Sequence, residues 1–247
     1  MSANNHNVIY SSGRAVIFGI AGLALSPSEA AFFCETRPAG IILFARNIES
    51  RHQLRALTDD LRDKLDNPNL PILIDQEGGR VARLRPPLVR AYPPLAAYGA
   101  LYEQDPEKAL KATRLGAQLL ASDLYEMGIN ITCAPCLDLA LPQMSAVIGD
   151  RAFAASPDSV ARLGRCFMEG VTQAGVLPMI KHLPGHGRAQ VDSHDTLPVI
   201  DTVVPQLQSQ DFAPFRQLND ALLGMTGHLL FTQIDTDMPT TLSPIII

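Results

Sequence analysis

No run in this 247-residue sequence is both apolar and long enough to cross a bilayer, because glycine, proline or charge interrupts every apolar stretch. The N-terminus, MSANNHNVIYSS, lacks the basic-then-apolar order of a secretory leader. Basic charge is not in excess either. The formal net charge is −5, so no positive field invites nucleic acid. Cysteine is scarce: Cys34, Cys133, Cys136 and Cys166 are scattered through a chain that is 47% hydrophobic, and they read as free, buried thiols in a reducing cytoplasm. Cys133 and Cys136 form a C-x-x-C, but Pro135 inside it and the strand-like INIT before it fit a packed strand end better than a redox or zinc role. No G-x-G-x-x-G follows the first apolar run, so a dinucleotide fold has no direct support. With no repeat, low-complexity tract or linker, residues 1–247 read as one domain.

What the sequence does contain is alternation. Short apolar runs at 15–20, 40–44, 71–74, 129–134, 176–181 and 221–226 are continuously hydrophobic, as strands buried on both faces are. Between them lie segments of helical period. Ser26–Thr36 begins with a capping serine, a first-turn proline and Glu29. Ser50–Leu65 carries leucines at three- and four-residue spacing. Asp105–Met127 opens with a cap and a proline and carries Leu110, Leu115, Leu119, Leu120 and Leu124 as its stripe. Ser156–Ala174 opens in the same way, and a last helix is expected over Val204–Asn219, interrupted near Pro214. Six strands alternating with helices predict an α/β fold with parallel strands and right-handed crossovers, of the TIM-type (β/α) barrel kind.

In such a barrel, function sits where strands end, and the polar oddities of this chain fall there. One mouth is expected to collect Asp75, Glu77, Arg80, Arg83, Asp138, Lys181, His182, His186, Asp192, His194 and His228. In ILIDQEGGRVARLR, Asp75 is the first charge after a buried run, suited to gripping hydroxyls, and Gly78–Gly79 allow a tight turn back to Arg80 and Arg83. The plainer reading of that segment is a turn with a structural Asp–Arg pair. In VIGDRAF, Arg151 is either a salt-bridged loop anchor or a fork-shaped donor to substrate oxygens. The densest segment is KHLPGHGRAQVDSHDTLP, residues 181–198. PGHG forbids a regular helix, so His182 and His186 do not share a helical face, which counts against an H-x-x-x-H zinc site. Asp192 and His194 stand two apart. In an extended loop they would point the same way, the carboxylate orienting an imidazole that exchanges a proton. A metal cluster and a structural polar loop are the competing readings.

DQEGGRVARL, IGDRAF, KHLPGHGRAQVDSHDTLP and TGHLLF…PTTLSP occur in order and together resemble the bacterial glycoside hydrolase family 3 β-N-acetylhexosaminidases, from about residue 15 to the end. The resemblance implies a TIM-like barrel and retaining hydrolysis of terminal β-linked N-acetylglucosamine, from muropeptides in cytoplasmic cell-wall recycling, with no cofactor and no metal. Asp75, Arg83, Arg151, Lys181 and His182 would bind the sugar. His194 would be the proton donor and acceptor, and Asp192 its orienting partner. An imidazole would then replace the acid carboxylate of the usual pair.

The chain departs from that family's pattern in one respect. The family's nucleophile is an aspartate in an SDD-like sequence after the seventh strand, and no SDD occurs in this chain, which reads TLSPIII at its end. The expectation is therefore an incomplete barrel, about six of eight βα units, truncated before the nucleophile, with possible self-association through open edges. Three alternatives stand beside it: a vestigial sugar-binding barrel, a metal-dependent hydrolase using His182, His186, Asp192 and His194, and an assembly half whose partner chain supplies the remaining strands.

Overall fold

The computed structural model describes residues 13–192 and 195–247. In chain order the elements are β1 (Arg14–Gly19), α1 (Pro27–Thr36), β2 (Pro38–Leu43), α2 (Arg51–Lys64), β3 (Ile72–Ile74), β4 (Gln76–Gly78), β5 (Val81–Ala82), α3 (Leu95–Gln104), α4 (Pro106–Glu126), β6 (Ile131–Thr132), α5 (Pro157–Gln173), β7 (Leu177–Leu183), β8 (Val199–Ile200), α6 (Val204–Ser209), α7 (Ala213–Gln217), β9 (Leu223–Thr226) and β10 (Leu230–Phe231). Six strands form one parallel sheet in the order β1-β2-β3-β6-β7-β9, so each new strand adds beside the last, as in the wall of a (β/α) barrel. The curled sheet with its helices is the expected six-unit part of a barrel.

The helices start where their caps require. Ser26 Oγ accepts from the Glu29 amide at 3.2 Å while the Glu29 carboxylate accepts from the Ser26 amide at 3.0 Å, a complete capping box. Ser50, Asp105 and Ser156 cap α2, α4 and α5 through the amides of Gln53, Lys108 and Ser159. The strands alternate between two apolar layers. Ile41, Leu43, Ile72, Ile74 and Ile180 pack outward into the main core shared with the helices. Ile42, Leu73, Ile131, Cys133, Leu177, Met179, Leu223 and Met225 form a smaller cluster on the inner face. A third cluster, Ala189, Ile200, Leu207, Leu229 and Phe231, underpins the two-stranded β8–β10 sheet beyond β7.

Several expectations need correction. The Leu110–Leu124 stripe of α4 is only half right, because Leu115 and Leu119 are 48% and 47% exposed. The buried face is Ala109, Thr113, Ala117, Leu120, Ala121 and Leu124. The reason is the closeness of α5: a Cβ on Gly170 would stand 2.2 Å from the Arg114 carbonyl oxygen, a gap that small residues fit and leucines would hold open. The expected helix at 204–219 is two short helices separated at 210–212. Helix α3, the β4–β5 hairpin and the β8–β10 pair were not foreseen. Cys133, Cys136 and Cys166 are buried, whereas Cys34 is exposed.

Candidate active site

The two-residue period of the strands carries the inner face directly into the site. Asp75 follows Leu73 by two residues, and Lys181 follows Met179 by two. The side chains meet where the strands end: Lys181 Nζ is 3.0 Å from Asp75 Oδ1 and 2.6 Å from Glu77 Oε1. Lys181 is 2% exposed, and a charge taken that far from water needs its partners. Glu77 also takes a two-pronged bond from Arg151, with Nη2 to Oε1 at 2.8 Å and Nε to Oε2 at 3.0 Å. Asp75 accepts from Arg83 Nη2 at 3.0 Å on its second oxygen.

Burial pushes the Asp75 and Glu77 carboxyls upward, but Lys181 next to both, with Arg83 on one and Arg151 on the other, brings each below its ordinary range. Burial likewise pushes the Lys181 ammonium down, and the two carboxylates more than restore it. The network is thus held fully ionised. Arg83, Arg151 and His182 keep side-chain exposures of 31%, 11% and 16%, so the donors at the rim reach solvent above a buried floor of Glu77 and Lys181.

A hairpin places Arg83. β4 and β5 are antiparallel, and Gly78 and Gly79 turn the chain at φ +103° and +56°, with no room for a Cβ at Gly78 against the Pro93 carbonyl 2.3 Å away. The buried Gln76 amide staples the return strand, accepting from the amides of Arg83 and Leu84 and donating to the Leu84 carbonyl. Arg80 leaves the site. It pairs with Asp150 and donates to the carbonyls of Ala146, Val147 and Ile148, and so holds the loop that presents Arg151. Arg151 is a salt-bridged anchor, as one reading of the sequence has it, and its guanidinium also reaches His182 at the rim.

His182 completes the rim. Its Nδ1 lies 2.6 Å from Asp138 Oδ2 and its Nε2 lies 3.3 Å from Arg151 Nη2. Asp138 is fully buried. Burial opposes its charge, but His182 and His186 outweigh burial and hold the carboxyl far below the usual range. The same carboxylate accepts from the His186 amide at 2.6 Å and from the Cys136 thiol at 3.1 Å. Burial and the neighbouring Asp138 charge push the Cys136 thiol well up, and burial pushes Cys133 up to about 12, so neither is a reactive thiolate.

Among the described residues, the grouping with metal-ligand spacing is Cys136, Asp138 and His182. It shares only His182 with the His182, His186, Asp192 and His194 set of the alternative metal reading, and its donor atoms are already joined by hydrogen bonds. Asp192 is half-buried on the loop after β7. The amides of Asp195 and Thr196 donate to its carbonyl at 3.1 and 3.0 Å. His194 lies outside the described residues. His228 bonds Thr241. Asp75, Arg83, Arg151, Lys181 and His182 are therefore brought together as expected. Glu77 and Asp138 are the residues left without a role by the sequence reading. Asp138 had a signal, a lone carboxylate inside the apolar run CLDLAL, which must find a buried partner.

The chain resembles the β-hexosaminidase of Alkalilimnicola ehrlichii at 41% identity over 230 residues, covering 92% of this chain and 65% of that protein. The β-hexosaminidase of Chromobacterium violaceum is 38% identical over 223 residues, covering 90% and 62%. The chain thus spans a little under two-thirds of the length of these relatives. Among solved structures, native NagZ from Neisseria gonorrhoeae superposes with a TM-score of 0.88 at 33% identity, over 94% of this chain and 67% of that one, and the same enzyme has been solved with N-trifluoroacetyl-D-glucosamine. Residues 22–247 match the glycosyl hydrolase family 3 N-terminal domain, and the chain belongs to that family.

Proposed function

We propose that this chain carries the sugar-binding and acid/base part of a β-N-acetylhexosaminidase that removes terminal β-linked N-acetylglucosamine with retention, with muropeptides of cytoplasmic cell-wall recycling as substrate. The observation that carries this reading is the ionised Asp75–Lys181–Glu77–Arg151 network at the strand ends, flanked by Arg83 and His182 at the rim. A sugar offers hydroxyls that both donate and accept. The rim presents guanidinium donors beside a carboxylate and an imidazole, which suits them. The N-trifluoroacetyl-D-glucosamine complex of the gonococcal relative supports the sugar class.

In the proposed reaction His194, oriented by Asp192, protonates the leaving glycosidic oxygen as imidazolium while a carboxylate nucleophile bonds the anomeric carbon. The neutral imidazole then takes a proton from the water that releases the sugar. The nucleophile that the family resemblance implies is an aspartate of an SDD-like sequence, and no SDD occurs in these 247 residues.

Calorimetric titration with N-acetylglucosamine tests the site. Binding is expected, and Arg83→Ala and Asp75→Ala should each weaken it by about 10- to 150-fold, the equivalent of roughly 1.5–3 kcal/mol for a bond to a charged group. Affinity unchanged in both variants would overturn the placement.

A further inference from the structure

We propose that Asp138 is the positioning residue of this site, setting the tautomer of His182 and tying that ring to the root of the loop that carries Asp192. The proposal deepens the sugar-site reading and rests on it for its functional meaning.

Asp138 follows the short strand β6, and nothing in the network described above touches it except through His182. It is 1% exposed, yet both oxygens are occupied. Oδ2 takes His182 Nδ1 at 2.6 Å and the Cys136 thiol at 3.1 Å, while Oδ1 takes the His186 amide at 2.6 Å and the His182 amide at 3.4 Å. An ionised carboxylate only accepts, so the proton between it and His182 belongs to Nδ1. On the far side of the ring, Nε2 faces Arg151 Nη2 at 3.3 Å. A guanidinium only donates, so Nε2 must be the acceptor. The ring is thus held as the Nδ1–H tautomer, with its lone pair beside the Arg151 donor at the rim. A donor and an acceptor side by side are what one sugar hydroxyl can bridge, giving its proton to Nε2 and taking one from Arg151.

The Oδ1 bonds extend the same control along the chain. The His186 amide belongs to the third residue of PGHG, at the root of the loop, where the 186–189 turn begins. A Cβ on Gly187 would stand 2.6 Å from the Leu139 carbonyl, so the root lies flush against the residue after Asp138. From there the Ala189 amide returns to the His186 carbonyl, and the Ser145 amide bonds the Ala189 carbonyl. One buried carboxylate therefore fixes both the proton on a sugar-facing imidazole and the point from which the Asp192 loop departs.

Nitrogen NMR of the histidine-labelled chain at about pH 8 reads the tautomer directly. The expected result is a protonated Nδ1 and a bare Nε2 on His182. A proton on Nε2 in the parent chain overturns the proposal without any variant having to fold. In Asp138→Asn the carboxamide can keep its oxygen on the His186 amide only by turning its NH₂ toward His182, so the ring should switch to the Nε2–H form and sugar affinity should fall about tenfold or more, a loss comparable to one bond to a charged group. An unswitched ring in folded Asp138→Asn also overturns it. Cys136→Ser, which leaves the His182 bond in place, should keep the parent tautomer. Amide exchange at His186 reads the loop root: protection in the parent supports that half, and fast exchange overturns it. If the tautomer switches as stated but the parent chain binds no N-acetylglucosamine, the positioning by Asp138 stands and the sugar reading falls.

Discussion

Glu77 joins two cations that approach the site from different parts of the chain, the amine of Lys181 and the fork of Arg151. Removing its charge leaves both partners in place with less than they need. Breaking a buried ion pair by deleting one member costs about 3–5 kcal/mol, a large share of a net stability of roughly 5–15 kcal/mol. Glu77→Gln should therefore lower the urea midpoint strongly, with the slope unchanged. A midpoint within error of the parent would show that water or a rearranged Arg151 replaces the carboxylate. The same residue scale sets the response to acid. Burial, with His182 and Arg151 nearby, depresses His186 below its ordinary 6.5 despite the Asp138 charge. A base with a depressed folded value takes up its proton first in the unfolded chain, so its contribution is present above 6.5 and is lost as pH falls through the folded value. Asp75 and Glu77 are depressed carboxyls, present above the unfolded values of 3.8 and 4.5 and lost as pH falls through their lowered folded values. Lys181 is raised above 10.5, so its share is lost only as pH rises through that raised value. The melting temperature should fall in two stages on acidification, the first beginning below about 6.5. His186→Phe, which keeps a ring and removes the titration, should erase the first stage. A melting temperature that climbs between neutrality and mild acid would contradict the assignment.

At the scale of elements, what was legible in the sequence follows from how local its cause is. Ser26, Ser50, Asp105 and Ser156 mark four helix starts because a cap acts on amides two or three residues away. Ser26→Ala should accordingly cost about 1 kcal/mol, read as a small loss in thermal stability, and a neutral result would mean that Glu29 caps α1 alone. The inner-face alternation was equally readable, since it carries Asp75 and Lys181 to one mouth by counting in twos. What failed depended on distant partners. The leucine stripe on α4 could not show that Gly170 brings α5 too close for it. The β4–β5 hairpin needs Pro93 and Gln76 as well as its glycines. The site divides in the same way. Asp75 was visible as the first charge after an apolar run and Arg151 as a guanidinium between apolar neighbours, while the sugar-binding set of Asp75, Arg83, Arg151, Lys181 and His182 as a whole was what the family resemblance implied; the parts played by Glu77 and Asp138 appear only once three strand ends are side by side.

At the scale of the whole molecule, the sheet has two edges. β1 and β9 each pair on one side only among the described residues. Parallel strands are ordinarily covered on both faces, and an uncovered edge offers a row of unpaired amides and carbonyls to any neighbour. β1 is apolar in sequence yet largely exposed, with Ile17 at 45%, and Phe32 of the adjoining α1 is also 45% exposed. Near β9, Leu222 is 66% exposed. These 247 residues on their own should therefore associate edge to edge, with size rising with concentration in sedimentation velocity. Ile17→Lys puts a charge in the middle of the β1 edge, the device by which natural sheets discourage such pairing. It should shift the distribution towards monomer without lowering the melting temperature by more than about 0.5 kcal/mol equivalent, because the position is already exposed. Adding a sugar ligand should leave that distribution unchanged, since the rim of Arg83, Arg151 and His182 lies at the strand ends and the edges run along β1 and β9. A parent chain that sediments as a monomer at every concentration would remove the edges as association surfaces. Association that persists in Ile17→Lys would move it away from β1, to β9 or to the exposed Leu242, Ile245 and Ile247.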